Sequence, residues 1–125
     1  MRGPERTTPA PGPPGSVTIV VPIWGPSPDL ARCLASVAGG TDLAAHRLVL
    51  VGDGPLEPGV RRLAQGLVAE RGARLLERPA REGFAAATNA GIREATGDVV
   101  LLNSDTQVTE GWLGRLAEAV RRRPR

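Results

Sequence analysis

The sequence contains no lysine, so its 16 basic residues other than histidine are all arginine. It therefore lacks the amine that P-loop nucleotide binding, Schiff-base chemistry and phospho-receiver domains require. One cysteine and one histidine in 125 residues exclude a disulfide framework and a zinc cluster of thiolates or imidazoles. A serine-histidine-aspartate triad would depend on His46 alone, and we interpret that histidine as structural.

Aromatic residues are also scarce, at 2% of the sequence, and the positive charge is concentrated at the two ends. Of the net charge of +3, the first 15 residues carry +1 and the last five carry +4, which leaves −2 for residues 16–120. A nucleic-acid-binding domain is expected to have a basic stripe on its folded surface, with aromatics for stacking if it binds single strands. Nucleic acid is therefore not an expected partner.

No apolar run reaches the roughly 18 residues that a membrane span needs. Residues 1–15 are rich in Pro and Gly, lack the apolar run of a signal peptide and are predicted to be disordered. These features predict a cytoplasmic protein with no membrane span. Residues 16–120 are predicted to form one domain of ordinary length, followed by a basic tail at 121–125.

Short apolar runs alternate with segments of helical period from Ser16 onward. We predict strands at 17–23, 48–51, 74–76 and 99–102, helices after the first two strands, a helix at 84–95 and a last helix after Thr109. The first strand is apolar at nearly every position, as in strands buried on both faces. The order predicts an α/β fold: a doubly wound, mostly parallel, Rossmann-like sheet with helices on both faces.

Local signals set the predicted helix ends and faces. Ser27 is the expected N-cap of the first helix, with Gly39 as the glycine just beyond its end. Thr109 is the expected cap of the last helix. The predicted apolar face of that helix consists of Leu113, Leu116, Ala117 and Val120.

Small, polar and charged residues collect where the predicted strands end. They are Trp24 and Gly25, Asp53 and Gly54, residues 78–83, and Asn103-Ser104-Asp105. Ligands of open α/β sheets bind beyond the carboxyl ends of the strands. Two carboxylates, several small residues and two arginines in this place suit a charged ligand held together with a divalent metal.

Asp105 is the strongest single candidate because it comes almost directly after an apolar strand. A carboxylate there suits magnesium or manganese, whose other ligands would be water and phosphate oxygens. The alternative is an Asx-turn in which Asp105 bonds the backbone near Gln107. The surrounding motif favours the metal role.

Residues Gly83 to Gly91 form a helix entry with very little side-chain bulk. Such an entry brings the backbone close to a diphosphate, or it lets the helix pack tightly on the sheet, and the two interpretations are compatible. The segment is not a GxGxxG nucleotide loop, since it follows the third strand and lacks that glycine spacing.

The other candidates each have a structural alternative. Asp53 is a site residue or a turn residue before a glycine. Trp24 stacks on a ligand ring or covers the sheet edge, and Arg78 and Arg81 bind phosphate or lie in solvent. Cys33 lies on the apolar stripe of the first helix, and we interpret it as inert core.

Taken in order, these motifs resemble glycosyltransferase family 2, the GT-A-like enzymes that use nucleotide-diphosphate sugars. The resemblance runs from Val17 to about Leu116 and is greatest to the rhamnosyltransferase-type branch. Its pieces are Val17–Pro22, Val51–Gly54, Gly83–Gly91, Gly97–Thr106 and Gly111–Leu113.

The resemblance implies a site as well as a fold. Asp53 matches the acid that reads the nucleotide base, and Asn103-Ser104-Asp105 matches the Asp-x-Asp motif, with Asp105 as the metal ligand. The candidate nucleotide-sugar-binding residues are Pro22, Ile23, Trp24, Asp53, Arg81, Gly83, Asn89, Asn103 and Ser104. The implied cofactor is manganese or magnesium. The sequence departs from the family pattern at Gly52, Pro55, Arg81 and Asn103.

Members of the family continue into a half that binds the acceptor and supplies a carboxylate base. Glu110 and Glu118 are the only acids after the metal motif, and neither matches that base. We therefore expect a donor-binding half, truncated or completed by a partner chain or domain, that serves a glycan or lipid-linked acceptor. The alternative is a non-catalytic nucleotide-sugar-binding or interaction module. An NAD-type domain is disfavoured because Trp24-Gly25-Pro26 follows the first strand in place of a glycine loop.

Overall fold

The computed structural model describes residues 16–122, with side chains described as far as residue 120. The strands are β1 (Val17–Ile23), β2 (Arg47–Gly52), β3 (Arg74–Glu77) and β4 (Asp98–Leu101), and the helices are α1 (Pro28–Gly40), α2 (Pro58–Arg71), α3 (Phe84–Arg93) and α4 (Trp112–Arg122). The disorder predicted for residues 1–15 concerns residues outside the described part. The same holds for the predicted tail, except that the backbone of residues 121 and 122 belongs to α4.

The four strands form one sheet in the order β3-β2-β1-β4, and every pairing is parallel. Val20 in β1 is opposite Val49 in β2 on one side and Leu101 in β4 on the other. Because all strands run in one direction, their carboxyl ends meet at the same edge of the sheet. The predicted doubly wound parallel α/β fold is confirmed.

The side chains of β1 alternate between two cores. Ile19, Val21 and Ile23 point into the larger core with the apolar faces of α1 and α2 and with parts of α4, while Val20 points into a smaller core covered by α3. All four side chains are completely buried. The nearly continuous apolar run of β1 therefore reflects helices on both faces of the sheet.

The start of α1 follows the sequence signals, but its end does not. The Ser27 side chain accepts a hydrogen bond from the Asp29 N–H (3.1 Å), and Pro28 occupies the first turn. Gly39 was predicted to lie beyond the helix and instead lies inside it, because α1 continues to Gly40 and ends at an extended Thr41. The Thr41 hydroxyl accepts a hydrogen bond from Nε1 of Trp112 (2.8 Å), which ties this end to α4.

Helix α3 packs on the sheet through small residues. Ala87 is completely buried, and Gly91 faces the sheet so closely that a Cβ atom there would clash with Val20 and lie 3.0 Å from Cγ2 of Val51. The structural interpretation of the 83–91 segment is therefore correct. Glycine at position 91 is required by this approach of backbone to sheet.

Part of the apolar surface around α4 and β4 is uncovered in residues 16–120. Leu113 packs against the larger core, but Leu116 and Val120 are 40% and 66% exposed, so only part of the predicted apolar face is buried. On the edge strand β4, Val99 and Leu101 are 38% and 42% exposed. The prediction that Thr109 caps α4 with its side chain is wrong. Its hydroxyl accepts a hydrogen bond from Arg115, and its carbonyl accepts one from the Trp112 N–H.

None of the helices in the described part of the chain combines the length and the apolar character that crossing a membrane would demand.

Candidate functional site

A cavity of about 490 Å³ opens where β1 and β4 end. The residues that line it are Pro22, Trp24, Gly25, Pro26, Ser27, Asp29, Arg81, Phe84, Asn103, Ser104 and Asp105. Six of these are residues that the sequence analysis proposed for ligand or metal binding: Pro22, Trp24, Arg81, Asn103, Ser104 and Asp105. The parallel sheet brings them together because it places the loops after β1, β3 and β4 at one edge.

Asp105 lies in a tight turn that follows β4. Leu102 is buried and extends the pairing of β4, since its N–H donates to the Val20 carbonyl (2.9 Å). The turn then closes through a hydrogen bond from the Thr106 N–H to the Asn103 carbonyl (3.0 Å). Among residues 16–120, no hydrogen bond or ion pair to the exposed Asp105 carboxylate is found, so the alternative Asx-turn does not form. The carboxylate is therefore available to a ligand.

The donor atoms of this turn suit a hard divalent cation. The cavity wall carries three oxygen-bearing groups: the amide of Asn103, the hydroxyl of Ser104 and the carboxylate of Asp105. The described residues contain no group of three or more His, Cys, Asp or Glu side chains placed to enclose a metal. Magnesium-type ions are held by one or two carboxylates plus water and phosphate oxygens, so an open site of this kind fits them and does not fit structural zinc.

Asp53 lies at the end of β2, and its carboxylate is used within the protein. It is buried, and it accepts hydrogen bonds from the N–H groups of Glu82 (2.8 Å) and Gly83 (3.1 Å). Its own N–H donates to the Ile23 carbonyl (2.7 Å). Asp53 thus joins the ends of β1 and β2 to the loop that precedes α3.

That loop carries Arg81 to the mouth of the cavity. The Arg81 guanidinium lies over the indole of Trp24, 5.0 Å from the ring centroid, and it also donates to the Trp24 carbonyl. Arg78 holds the other end of the loop through its N–H, which donates to the Gly52 carbonyl (3.0 Å), and through an ion pair with Glu82. A positive φ of 105° at Gly83 then turns the chain into α3.

Four proposed binding residues do not line the cavity. The side chain of Ile23 is completely buried in the larger core, and Asp53 lies beneath the loop that it binds. Asn89 is exposed on α3 outside the cavity wall, and Gly83 precedes the lining residue Phe84. Contact between the Ile23 side chain and a ligand in this cavity is therefore excluded in this conformation.

Five lining residues are not among the binding residues predicted from the sequence: Gly25, Pro26, Ser27, Asp29 and Phe84. Ser27 and Asp29 were interpreted as helix-start residues, which they are, but the first turn of α1 also forms a wall of the cavity. Asp29 forms an ion pair with Arg32 (3.3 Å). Phe84 is 56% exposed at the start of α3, and an aromatic residue directly after a loop glycine was the available signal.

Cys33 and Glu77, both near this edge of the sheet, have shifted pKa values. Burial raises the pKa of the Cys33 thiol to about 11, with a hydrogen bond from the Thr106 backbone N–H opposing the rise and the Asp105 charge adding to it. Hydrogen bonds from Arg61 and from the Leu56 N–H lower the pKa of Glu77 to about 2. Cys33 is therefore a neutral thiol at physiological pH and Glu77 is a carboxylate.

The sequence pattern of one protein family matches residues 18–125, nearly the whole described chain, and the description of that family is "Glycosyl transferase family 2". The chain belongs to glycosyltransferase family 2. The resemblance noted in the motifs is thereby confirmed. No curated protein sequence matches the chain.

Solved structures of other proteins share the fold of this family-2 chain. TarS from S. aureus, residues 1–349 in complex with UDP-GlcNAc, superposes with a TM-score of 0.75 at 16% identity over 85% of this chain and 31% of that chain. The mannosyltransferase PcManGT from Pyrobaculum calidifontis, in complex with GDP-Man and Mn²⁺, superposes with a TM-score of 0.66 at 27% identity. That match covers 94% of this chain and 35% of the mannosyltransferase. This chain therefore spans about a third of the length of either structure.

Proposed function

We propose that this chain is the donor-binding part of a glycosyltransferase that holds a nucleotide-diphosphate sugar together with a divalent metal. The observation that carries the proposal is the cavity at the strand ends, whose wall combines Trp24 and Arg81 with the Asn103–Asp105 turn. Its volume of about 490 Å³ is within the range of small-molecule sites in proteins.

The metal would be held by Asp105, with Asn103 and Ser104 beside it, and either manganese or magnesium fits this set of oxygen groups. When bound, such an ion offsets the negative charge of a diphosphate, including the charge that develops as the diphosphate leaves. A structure similar to this one, the Pyrobaculum calidifontis mannosyltransferase, was solved with GDP-Man and Mn²⁺. This supports a metal-assisted nucleotide site at the same edge of the sheet.

Trp24 and Arg81 would bind the organic part and the charged part of the donor. Trp24 is 64% exposed, so the part of its indole that Arg81 does not cover would be accessible for stacking of a nucleotide base. The Arg81 guanidinium can pair with phosphate oxygens in two parallel hydrogen bonds. Pro22 forms part of the same wall, and Gly83 lies next to the lining residue Phe84 at the start of α3. Asn89 lies farther along α3, outside the cavity wall, and its contact with a donor stays a prediction.

Acceptor binding and the catalytic base would be supplied by polypeptide outside these 125 residues, or by a partner chain. Besides Asp105, the carboxylate at the cavity wall is Asp29, which is engaged by Arg32. Glu110 lines a different cavity, with Asp42 and His46. The uncovered apolar side chains of β4 and α4 offer a surface for further protein, and the related structures are about three times longer. A glycan or lipid-linked acceptor and a cytoplasmic location stay predictions.

The test is calorimetric titration of the chain with UDP-GlcNAc and with GDP-mannose, each with and without Mn²⁺. We expect one of them to bind with an affinity that rises when Mn²⁺ is added, and we expect Asp105→Ala to remove the Mn²⁺ effect. The matched control is Asp42→Ala, an exposed acid at the opposite end of the sheet. An equal effect of Mn²⁺ on donor affinity in the wild type and in Asp105→Ala would show that Asp105 does not hold the metal.

The second candidate is a binding module without catalysis. It is favoured by the engagement of Asp29, which leaves Asp105 as the free carboxylate in the described cavity. Release of free sugar or product from a donor by this chain, with acceptor supplied, would exclude it. Donor binding without turnover is expected from both candidates, because the first also places the catalytic base outside these 125 residues, so turnover is the outcome that separates them.

A further inference from the structure

Helix α1 lies directly beneath the segment that carries Asp105 and bonds it in two places. The Cys33 thiol donates to the Asn103 carbonyl, with sulfur and oxygen 3.6 Å apart. One helical turn later, the Ser36 hydroxyl accepts a hydrogen bond from the Val108 N–H (3.0 Å). The two contacts lie on either side of Asp105, since Asn103 precedes it and Val108 follows it.

Ser36 is the better donor and acceptor of the pair. Its hydroxyl also donates to the Cys33 carbonyl (2.8 Å), so one oxygen connects a helix backbone to the chain after the turn. This uses the hydroxyl hydrogen for the helix and a lone pair for Val108, which fixes the rotamer of Ser36. The thiol contact is weaker because S–H is a poor donor.

We propose that Ser36 is a positioning residue for the metal turn: it holds the Asn103–Val108 segment against α1 and thereby sets where the Asp105 carboxylate stands in the cavity. Asp105 itself is exposed and has no hydrogen-bond partner among the described residues. Its position is therefore determined by the backbone of its turn. That backbone is held by its internal Thr106–Asn103 bond and by the contacts from α1.

The consequence for binding rests on the proposed function. Groups that orient a metal ligand without touching the ion commonly change metal affinity by about 10- to 100-fold when they are removed. Ser36 acts on the ligand through the backbone, so the lower end of that range is expected. The holding of the turn itself does not depend on the metal and can be measured without it.

The first experiment is amide hydrogen exchange of the metal-free chain, followed by NMR, for the wild type and Ser36→Ala. We expect exchange at the Val108 and Thr106 amides to be about ten-fold faster in Ser36→Ala, as for the loss of one net hydrogen bond. Ser36→Thr keeps the hydroxyl and is expected to restore most of the protection.

The matched control is Thr18→Val. The Thr18 hydroxyl donates a hydrogen bond to the Thr96 carbonyl (2.9 Å) and accepts one from the Thr96 N–H (3.0 Å). Both bonds lie at the opposite end of β1 from the cavity. This variant loses the same kind of contacts and is expected to leave exchange at 103–108 unchanged. Unchanged exchange in Ser36→Ala, or an equal increase in Thr18→Val, would overturn the proposal.

The second experiment measures Mn²⁺ binding in the presence of GDP-mannose or UDP-GlcNAc by electron paramagnetic resonance. Ser36→Ala is expected to bind Mn²⁺ about ten-fold more weakly, and Thr18→Val is expected to match the wild type. Wild-type Mn²⁺ affinity in Ser36→Ala, with affinity lost in Asp105→Ala, would reject the positioning role while the metal site stands. Absence of Mn²⁺ binding by the wild type would instead refute the proposed function, and the exchange data would then decide the role of Ser36 in the turn.

Discussion

Two aspartates follow parallel strands at the same edge of the sheet, but they differ in burial and in hydrogen bonding. Asp53 is buried at the end of β2, and its carboxylate accepts hydrogen bonds from the N–H groups of Glu82 and Gly83. Asp105, after β4, is exposed and without a hydrogen-bond partner in the described part of the chain. An acid at a strand end can thus bind the backbone of a neighbouring loop or stay exposed to solvent, and the N–H groups within reach of its carboxylate decide which.

The difference also divides the edge of the sheet into a fixed and an open side. On the side of β2 and β3, the loop before α3 is held by Asp53 and by Arg78. On the side of β4, the edge strand and α4 keep apolar side chains exposed. Three comparisons between variants test this division, beginning with the largest expected effect.

Asp53→Ala is expected to destabilise the chain by about 1–3 kcal/mol, since it leaves two N–H groups of the loop without their acceptor. Asp105→Ala is expected to change the free energy of unfolding by no more than about 0.5 kcal/mol, because its carboxylate is exposed. Urea unfolding followed by circular dichroism measures both. Equal losses in the two variants would contradict the contrast between them.

Arg81→Ala tests whether the loop reaches across to Trp24. The stacking of an exposed arginine on a tryptophan contributes about 0.5–1 kcal/mol, so a small loss of stability is expected. The sharper signal is optical: in a Trp112→Phe background, Trp24 is the only tryptophan, and its fluorescence should be quenched more strongly by acrylamide once Arg81 is removed. Arg78→Ala is the control, because Arg78 lies in the same loop and pairs with Glu82. Quenching that rises equally in both variants would argue against the contact.

Glu77 gives the smallest effect and is the exposed counterpart of Asp53. It accepts hydrogen bonds from Nε of Arg61 (2.9 Å) and from the Leu56 N–H (2.9 Å), and its pKa falls from 4.5 to about 2. A lowered folded-state pKa stabilises the protein above pH 4.5, and that contribution is lost as the pH falls toward 2. The pair is partly exposed, so solvent reduces the effect.

The matching variant is Glu77→Gln, compared with the wild type by thermal unfolding between pH 7 and pH 2. We expect the wild type to unfold at a slightly higher temperature at pH 7 and the difference to shrink below pH 4.5. Glu70→Gln, a change of an exposed acid on α2, is the control. A difference that stays constant across this range would assign the effect to something other than the charge of Glu77.

The sequence predicted the order of elements because apolar period and helix-start signals are local. The first helix was predicted with an apolar stripe that includes Cys33, and in α1 the buried residues of that stripe are Leu30, Cys33, Leu34 and Val37. The end of α1 was not local: the chain passes Gly39 and stops at Thr41, where Trp112 supplies a hydrogen bond from a distant helix. A glycine signal alone could not include that contact.

The sequence predicted which loops meet at the sheet edge better than it predicted the contacts that their residues make. Strand ends indicate which loops meet, and the loops with Trp24, Arg81 and Asp105 do form one cavity. The sequence did not predict that the Asp53 carboxylate accepts hydrogen bonds from the backbone of another loop, or that the Ile23 side chain faces the core. Both depend on tertiary packing, namely the path of the loop before α3 and the alternation of side chains in β1.

The buried thiol of Cys33, beneath the turn that contains Asp105, has a practical consequence. Cys33 is the only cysteine, it is completely buried, and its raised pKa keeps it protonated at neutral pH. A thiolate is the form that attacks alkylating and disulfide reagents. A reagent can therefore modify Cys33 only after the turn separates from α1. The rate of labelling then measures how often that separation occurs, without any isotope or added fluorophore.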